Sequence, residues 1–308
     1  MVQSERENMA LLTTPEAVAL KNILVATDFS AASISALAYI IPIARESHSL
    51  VHILHVVRPS EIGLALTEED GDLSQEVQVN AQKRLTQLED LMGATPHKIW
   101  LRDGPVAHAI GDFARAEHID LIAIGGSAES DFKKFVVGSA AEEIIRDATC
   151  PVLNVGPHAV RCREGVHLTE ILYVTSLWEK SHDGLRYAIQ LAIEQHSQVT
   201  LLHVVEQETW NRPDREWLSA FRHILRNLLP DSAAHLGKTP ELRVETARNA
   251  TARILEVADK ISANLIVMDL QPKPALATHL HDKLYPIISW ANCPVLVVQS
   301  QIEQRKFQ

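Results

Sequence analysis

The sequence predicts an α/β fold built twice in tandem, as two open parallel sheets covered by helices. Short, near-continuous apolar runs alternate with segments of helical periodicity. The runs recur in the same order in the second half of the chain. Near-continuous apolarity is what strands buried on both faces require, and buried parallel strands need helical crossovers.

The repeat is visible residue by residue. Ile23-Leu24-Val25-Ala26-Thr27 recurs 148 positions later as Ile171-Leu172-Tyr173-Val174-Thr175. Ile53-Leu54-His55-Val56-Val57 recurs at the same offset as Leu201-Leu202-His203-Val204-Val205. Ala148 to Val155 matches Ala291 to Val298. Three matched blocks in one order imply tandem domains. Pro, Gly and charged residues break the pattern near Gly156 to Gly165, so the expected units are 19–158 and 166–301. Residues 1–18 have no counterpart and read as an N-terminal tail, with room for a short helix over Pro15 to Leu20.

In the first unit, strands are expected over 23–27, 51–57, 97–102, 120–124 and 151–155. Ile34, Leu37, Ala38 and Ile41 give the first helix a face, as Leu185, Ala188, Ile189 and Ala192 do in the second unit. Pro42 should kink or shorten that first helix. Val77, Ala81, Leu85, Leu88 and Met92 form another face. Val106, Ile110, Phe113 and Ala114 form a third, with Pro105 suited to its first turn. The acidic stretch from Arg58 to Gln75 reads as a solvated loop, with a nucleotide lid as the second reading.

Composition narrows the class. At 308 residues, 46% hydrophobic and 22% charged, the chain suits two soluble domains with their own cores. A formal charge of −10 argues against nucleic acid or an anionic membrane as partner. No apolar run approaches the ~20 residues of a membrane span, and the N-terminus lacks a secretory pattern. Three cysteines without CxxC spacing suit a reducing compartment, so a cytoplasmic location is expected. His279-Leu280-His281 lacks partners of metal-site spacing, so no metal is expected.

In open parallel sheets, ligands bind beyond the carboxyl ends of strands where the winding reverses. The first and fourth strands end at Thr27-Asp28 and Ile124-Gly125. Asp28 could accept from a base amino group or a ribose hydroxyl, or support the following turn. Gly125 and Gly138 bracket a loop that opens on a helix N-terminus, where free N–H groups favour an anion. Ser139 with Glu142 forms a candidate capping box. Lys133 and Lys134 read as a solvated loop face that could also offset phosphate charge.

These segments resemble the universal stress protein family. Val25-Ala26-Thr27-Asp28-Phe29-Ser30, the Leu54-His55-Val56-Val57 strand and Cys150-Pro151-Val152-Leu153 carry the resemblance, which covers about residues 20 to 300. It implies a Rossmann-like, nucleotide-binding α-hydrolase-like sheet in each half, with the halves pairing as a pseudo-dimer through Val152–Val155 and Val295–Val298. It also implies ATP or AMP as ligand, with or without Mg. Asp28 and Val56 would line the adenine and ribose pocket. Ile124, Gly125, Ala128, Gly138, Ser139 and Ala140 would surround ribose and phosphates. Ala128 replaces the family's middle glycine, and Glu129 and Asp131 add negative charge to that loop. In the second half Ser176 replaces Asp28 and Asp269 replaces Gly125, while Leu270 to Pro274 lacks glycine, so that site is expected to be degenerate.

The resulting expectation is a stress-response regulator that binds nucleotide in its first domain and does not catalyse. An interaction scaffold with both sites empty and a slow ATPase are the alternatives. An unknown protein partner and a homodimer are compatible with each. No G-x-S-x-G elbow or P-loop is present, and His55 and His203 read as satisfied core histidines.

Overall fold

The computed structural model describes residues 20–58, 71–126, 138–159, 167–177, 182–206, 215–270 and 281–299. The expected N-terminal tail over 1–18 lies outside them. In chain order, β1 (Asn22–Ala26), α1 (Ala31–Glu46), β2 (Leu50–Val57), α2 (Gly71–Met92) and β3 (His97–Asp103) open the first domain. It continues with α3 (Val106–Ala116), β4 (Leu121–Gly125), α4 (Ser139–Asp147) and β5 (Val152–Val155). The second domain runs β6 (Glu170–Val174), α5 (Asp183–Gln195), β7 (Gln198–Glu206), α6 (Arg215–Asn227) and a 3-10 turn at Asp231–His235. It closes with β8 (Glu241–Ala247), α7 (Ala250–Lys260), β9 (Leu265–Leu270), α8 (His281–Trp290) and β10 (Val295–Gln299).

All ten of these strands form one sheet, ordered β3-β2-β1-β4-β5-β10-β9-β6-β7-β8. Every pair is parallel except β5 with β10, which is antiparallel and joins the domains. At that junction Leu153 pairs with Leu296, its own counterpart in the repeat, so a pseudo-two-fold axis passes between them. The implied pairing through the last strands is therefore present, and it covers two apolar edges that would otherwise be open.

One core lies on each face of the sheet. Leu37, Ile40, Leu85 and Met92 pack on one face, together with Leu185, Ile189 and Leu225 of the second domain. Ile110, Phe113, Ile144 and Ile145 pack on the other, with Ile254, Val257, Leu284 and Ile287. Central strands such as β4 and β9 are buried on both faces, which accounts for the continuous apolar runs Leu121–Ile124 and Leu265–Met268.

Several expectations need correction. The inward stripe of α1 is Ala36, Leu37, Ile40, Ile43 and Ala44, and Ile34 is exposed. An apolar residue every three or four positions fits two adjacent faces, and the chain selected the other one. Pro42 does not shorten α1, which runs on to Glu46. β3 is only partly buried, because it is the edge strand. Positions 71–75 are helical rather than loop, since α2 begins at Gly71. Pro105 is the N-cap of α3 rather than a first-turn residue.

Candidate functional site

The winding reverses at β1, which pairs with β2 on one side and β4 on the other, so the predicted rim lies where these strands end. Beyond Ala26 the chain makes a tight turn. Thr27 N–H donates to the Leu54 carbonyl at 2.8 Å, and His55 Nδ1–H donates to the Thr27 carbonyl at 2.7 Å. Phe29 N–H returns to Thr27 Oγ1 at 2.9 Å, leaving Phe29 at φ 62°. The Phe29 ring packs on His55 at 4.4 Å, and the Arg84 guanidinium sits over the same ring at 4.2 Å.

The second domain repeats this turn. Thr175 N–H bonds Leu202, His203 Nδ1–H bonds the Thr175 carbonyl at 2.9 Å, and Leu177 has φ 66°. The turn therefore belongs to the fold and not to a ligand. Both histidines are satisfied, as expected, and burial lowers the pKa of His203.

Asp28 is the charged member of the turn, and the second copy carries Ser176 in its place. Its exposed carboxylate accepts the Ser30 N–H at 2.9 Å. Burial of the group pushes its pKa up, but hydrogen bonds from Ser30 and Ser33 outweigh that and hold it below the usual value. It is an ionised acceptor at neutral pH. The structure thus gives Asp28 the turn-supporting role and leaves its other lone pairs at the rim.

Val56 and Ile124 are buried, at 7% and 4% exposure, in the core beneath α3 and α4. Gly125 follows Ile124 and touches α1: a Cβ there would lie 2.2 Å from Ser33 N and 2.3 Å from the Ala32 carbonyl carbon. Its glycine is demanded by strand–helix packing, whatever the ligand. Gly138 differs. It has φ −60°, and a Cβ would meet nothing within 4 Å among the described residues. It is the N-cap of α4, with its carbonyl accepting Glu142 N–H at 3.0 Å. The expected Ser139–Glu142 capping box is therefore absent: Ser139 is the first helical residue, exposed, with Ala140 half-buried behind it. Ala128, Glu129, Asp131, Lys133 and Lys134 lie outside the described residues.

Sequence reasoning missed Asn154. It neighbours Ile124 in register and is fully buried, and neither its Nδ2 nor its Oδ1 has a partner among the described residues. A Cβ on Gly126 would stand 3.4 Å from that Oδ1. The available signal was the repeat itself, which places Val297 at the corresponding position.

The second rim is built differently. Val174 pairs with Met268 as Ala26 pairs with Ile124, which sets Asp269 in the place of Gly125. Its carboxylate accepts the Gly184 N–H at 2.7 Å and the Tyr173 hydroxyl at 2.7 Å. Burial raises its pKa to about 6 against the lowering effect of those two bonds. Helix α5 begins at Asp183, which corresponds to position 35 at the offset of 148, a turn later than Ala31. The carboxylate therefore caps a helix where the first domain has backbone against glycine. The loop after Leu270, apart from that residue, lies outside the described residues.

The universal stress protein family model matches residues 19–156 and 168–299, most of the chain and both halves of the repeat. The chain belongs to the universal stress protein family. A universal stress protein of Methanocaldococcus jannaschii is 32% identical over 139 residues, covering 44% of this chain and 81% of that one. Universal stress protein A homolog 1 of Coxiella burnetii is 28% identical over 138 residues, covering 44% of this chain and 95% of its own. The crystal structure of a universal stress protein from Archaeoglobus fulgidus matches across both halves of the chain. Its TM-score is 0.67 at 18% identity, covering 92% of this chain and 99% of that one. That last likeness speaks to fold alone. This universal stress protein thus has two family domains whose rims carry different chemistry.

Proposed function

We propose that this universal stress protein is a cytoplasmic, non-catalytic stress-response regulator that binds ATP or AMP in its first domain only. The contrast between the two rims carries the reading. At Gly125 the strand end has no side chain, and at Gly138 the helix N-terminus carries none either. In the second domain the counterpart of Gly125 is Asp269, a buried carboxylate that caps α5, the counterpart of α1, and would repel a phosphate brought to that rim. Gly138 adds weight, because no neighbour among the described residues requires a glycine there. The residues proposed to surround the ligand are Asp28, Val56, Ile124, Gly125, Ala128, Gly138, Ser139 and Ala140, with Val56 and Ile124 reaching it from the core beneath α3 and α4.

Isothermal titration of ATP and AMP into the wild type and Gly138→Asp tests this. Asp is a better N-cap than Gly, so the variant should fold at least as well while its charge opposes phosphate. Saturable binding by the wild type, lost in the variant, supports the reading. Absence of binding to folded wild type contradicts it.

The second reading is an interaction scaffold with neither site occupied. The packing of Gly125 on α1 favours it, since half of the glycine frame is explained without a ligand. Ala128→Gly separates the two: it should tighten nucleotide binding only where a site exists.

A further inference from the structure

We propose that Arg58 is a further ligand-binding residue of the first domain, a guanidinium that meets the phosphates of the nucleotide from the β2 side of the rim and makes affinity rise with phosphate number. The inference rests on nucleotide binding in the first domain and adds Arg58 to the residues that surround the ligand.

The second domain shows what a side chain at this position reaches. Glu206, the counterpart of Arg58 at the repeat offset of 148, is the last residue of β7. One of its carboxylate oxygens accepts the Ala250 N–H at 3.0 Å, at the start of α7. The other accepts from Lys283 Nζ at 2.9 Å, in the first turn of α8, with the lysine side chain only 16% exposed. A side chain from this position therefore spans two helix N-termini on one face of the sheet. The second rim supplies an anion of its own there, clasped by a backbone amide and an ammonium.

The first domain presents the same frame with the charge reversed. Side chains alternate along a strand, so Leu54, Val56 and Arg58 share a face, and the first two lie in the core beneath α3 and α4. Arg58 is the exposed residue that follows β2. Neither Pro105 nor Gly138, the N-caps of α3 and α4, supplies a side-chain cap. Glu142 is the acidic residue in the first turn of α4, and its charge acts on Tyr285 of α8. Ala140 takes the place of Lys283, since each stands eight residues before its matched alanine, Ala148 or Ala291. A methyl in place of a lysine side chain leaves volume beside the helix N-terminus that Lys283 fills in the second domain.

The reversal extends to the neighbouring strand. Val56 pairs with Arg102, whereas its counterpart Val204 pairs with Glu245. The Arg102 guanidinium lies over Trp100 and Phe113, at 5.4 Å and 5.9 Å, which holds it on the α3 side of the sheet. Arginines thus stand at both positions where the second rim has glutamates. Where one domain supplies a carboxylate from its own chain, the other offers a guanidinium, whose planar fork matches phosphate oxygens.

Isothermal titration of ATP, AMP and adenosine into the full-length protein and its Arg58→Gln variant tests this. Wild-type affinity should rise from adenosine through AMP to ATP. Arg58→Gln should bind ATP roughly tenfold more weakly, the scale of one charge-assisted hydrogen bond, and adenosine as before. Arg58→Lys, which keeps the charge without the fork, should fall between them. Equal ATP affinity in wild type and Arg58→Gln, or an equal loss for ATP and adenosine, overturns the role of Arg58 and leaves the one-site reading standing. Wild-type affinity that does not rise with phosphate number overturns it too, whether or not the variants fold. No binding of any of the three to folded wild type overturns both.

Discussion

Asp269 accepts the Gly184 amide at 2.7 Å, and its repeat counterpart Gly125 instead leaves its Cα against the Ala32–Ser33 backbone. The same strand end thus meets the same helix in two ways. In the first domain an extra helical turn reaches the strand, and only a glycine leaves room for it. In the second the helix begins a turn later, and a carboxylate supplies its cap.

Gly125→Ala should be costly without any ligand present. Its Cβ would stand 2.2 Å from Ser33 N, and backbone cannot rotate aside as a flexible side chain can. A loss of about 1–3 kcal/mol in unfolding free energy is expected from overpacking of this kind. Urea denaturation measures it, and an unchanged midpoint would mean that the close approach is not held in solution.

Asn154→Val should stabilise the protein. The amide is fully buried without a partner for either polar atom among the described residues, and the second copy carries Val297 there. Removing an unsatisfied buried amide in favour of a β-branched residue on a strand should return about 1–3 kcal/mol. A lower melting temperature for the variant would show that Asn154 finds partners in solution.

Asp269→Asn should reshape the pH dependence of stability. The folded pKa of about 6 lies above the unfolded value, so the native state binds the extra proton more tightly. The stability this contributes is complete below about pH 4 and is lost as pH rises through about 6. A shift of about two units corresponds to something on the order of 3 kcal/mol. The variant's advantage over wild type should therefore grow from about pH 4 to 7, as read by thermal melts across that range. A constant difference would contradict the raised pKa.

How much the sequence disclosed depended on whether the signal was local. The sheet was legible because β4 and β9 are buried on both faces and their runs, Asp269 apart, carry no charged residue. The repeat was legible because Ile23–Thr27 and Ile171–Thr175 must satisfy the same environment. Helix α2 was missed at 71–75 because a polar, acidic stretch carries no apolar stripe to read. The α4 cap was misplaced by one residue, since Ser139 with Glu142 has the pattern of a box and Gly138 has none. The packing of Gly125 on α1, the stranded amide of Asn154 and the cap of α5 by Asp269 are tertiary contacts between distant segments. Residue types suggested that something happens at these positions, but not which partner they meet.

The central claim is one nucleotide site per chain, in the first domain. The measurement that tests it most directly is isothermal titration of ATP and AMP, after confirming that no nucleotide co-purifies. The account predicts saturation at one equivalent per chain, abolished by Gly138→Asp and untouched by Asp269→Asn. Two equivalents, binding that survives Gly138→Asp, or no binding by folded protein would contradict it.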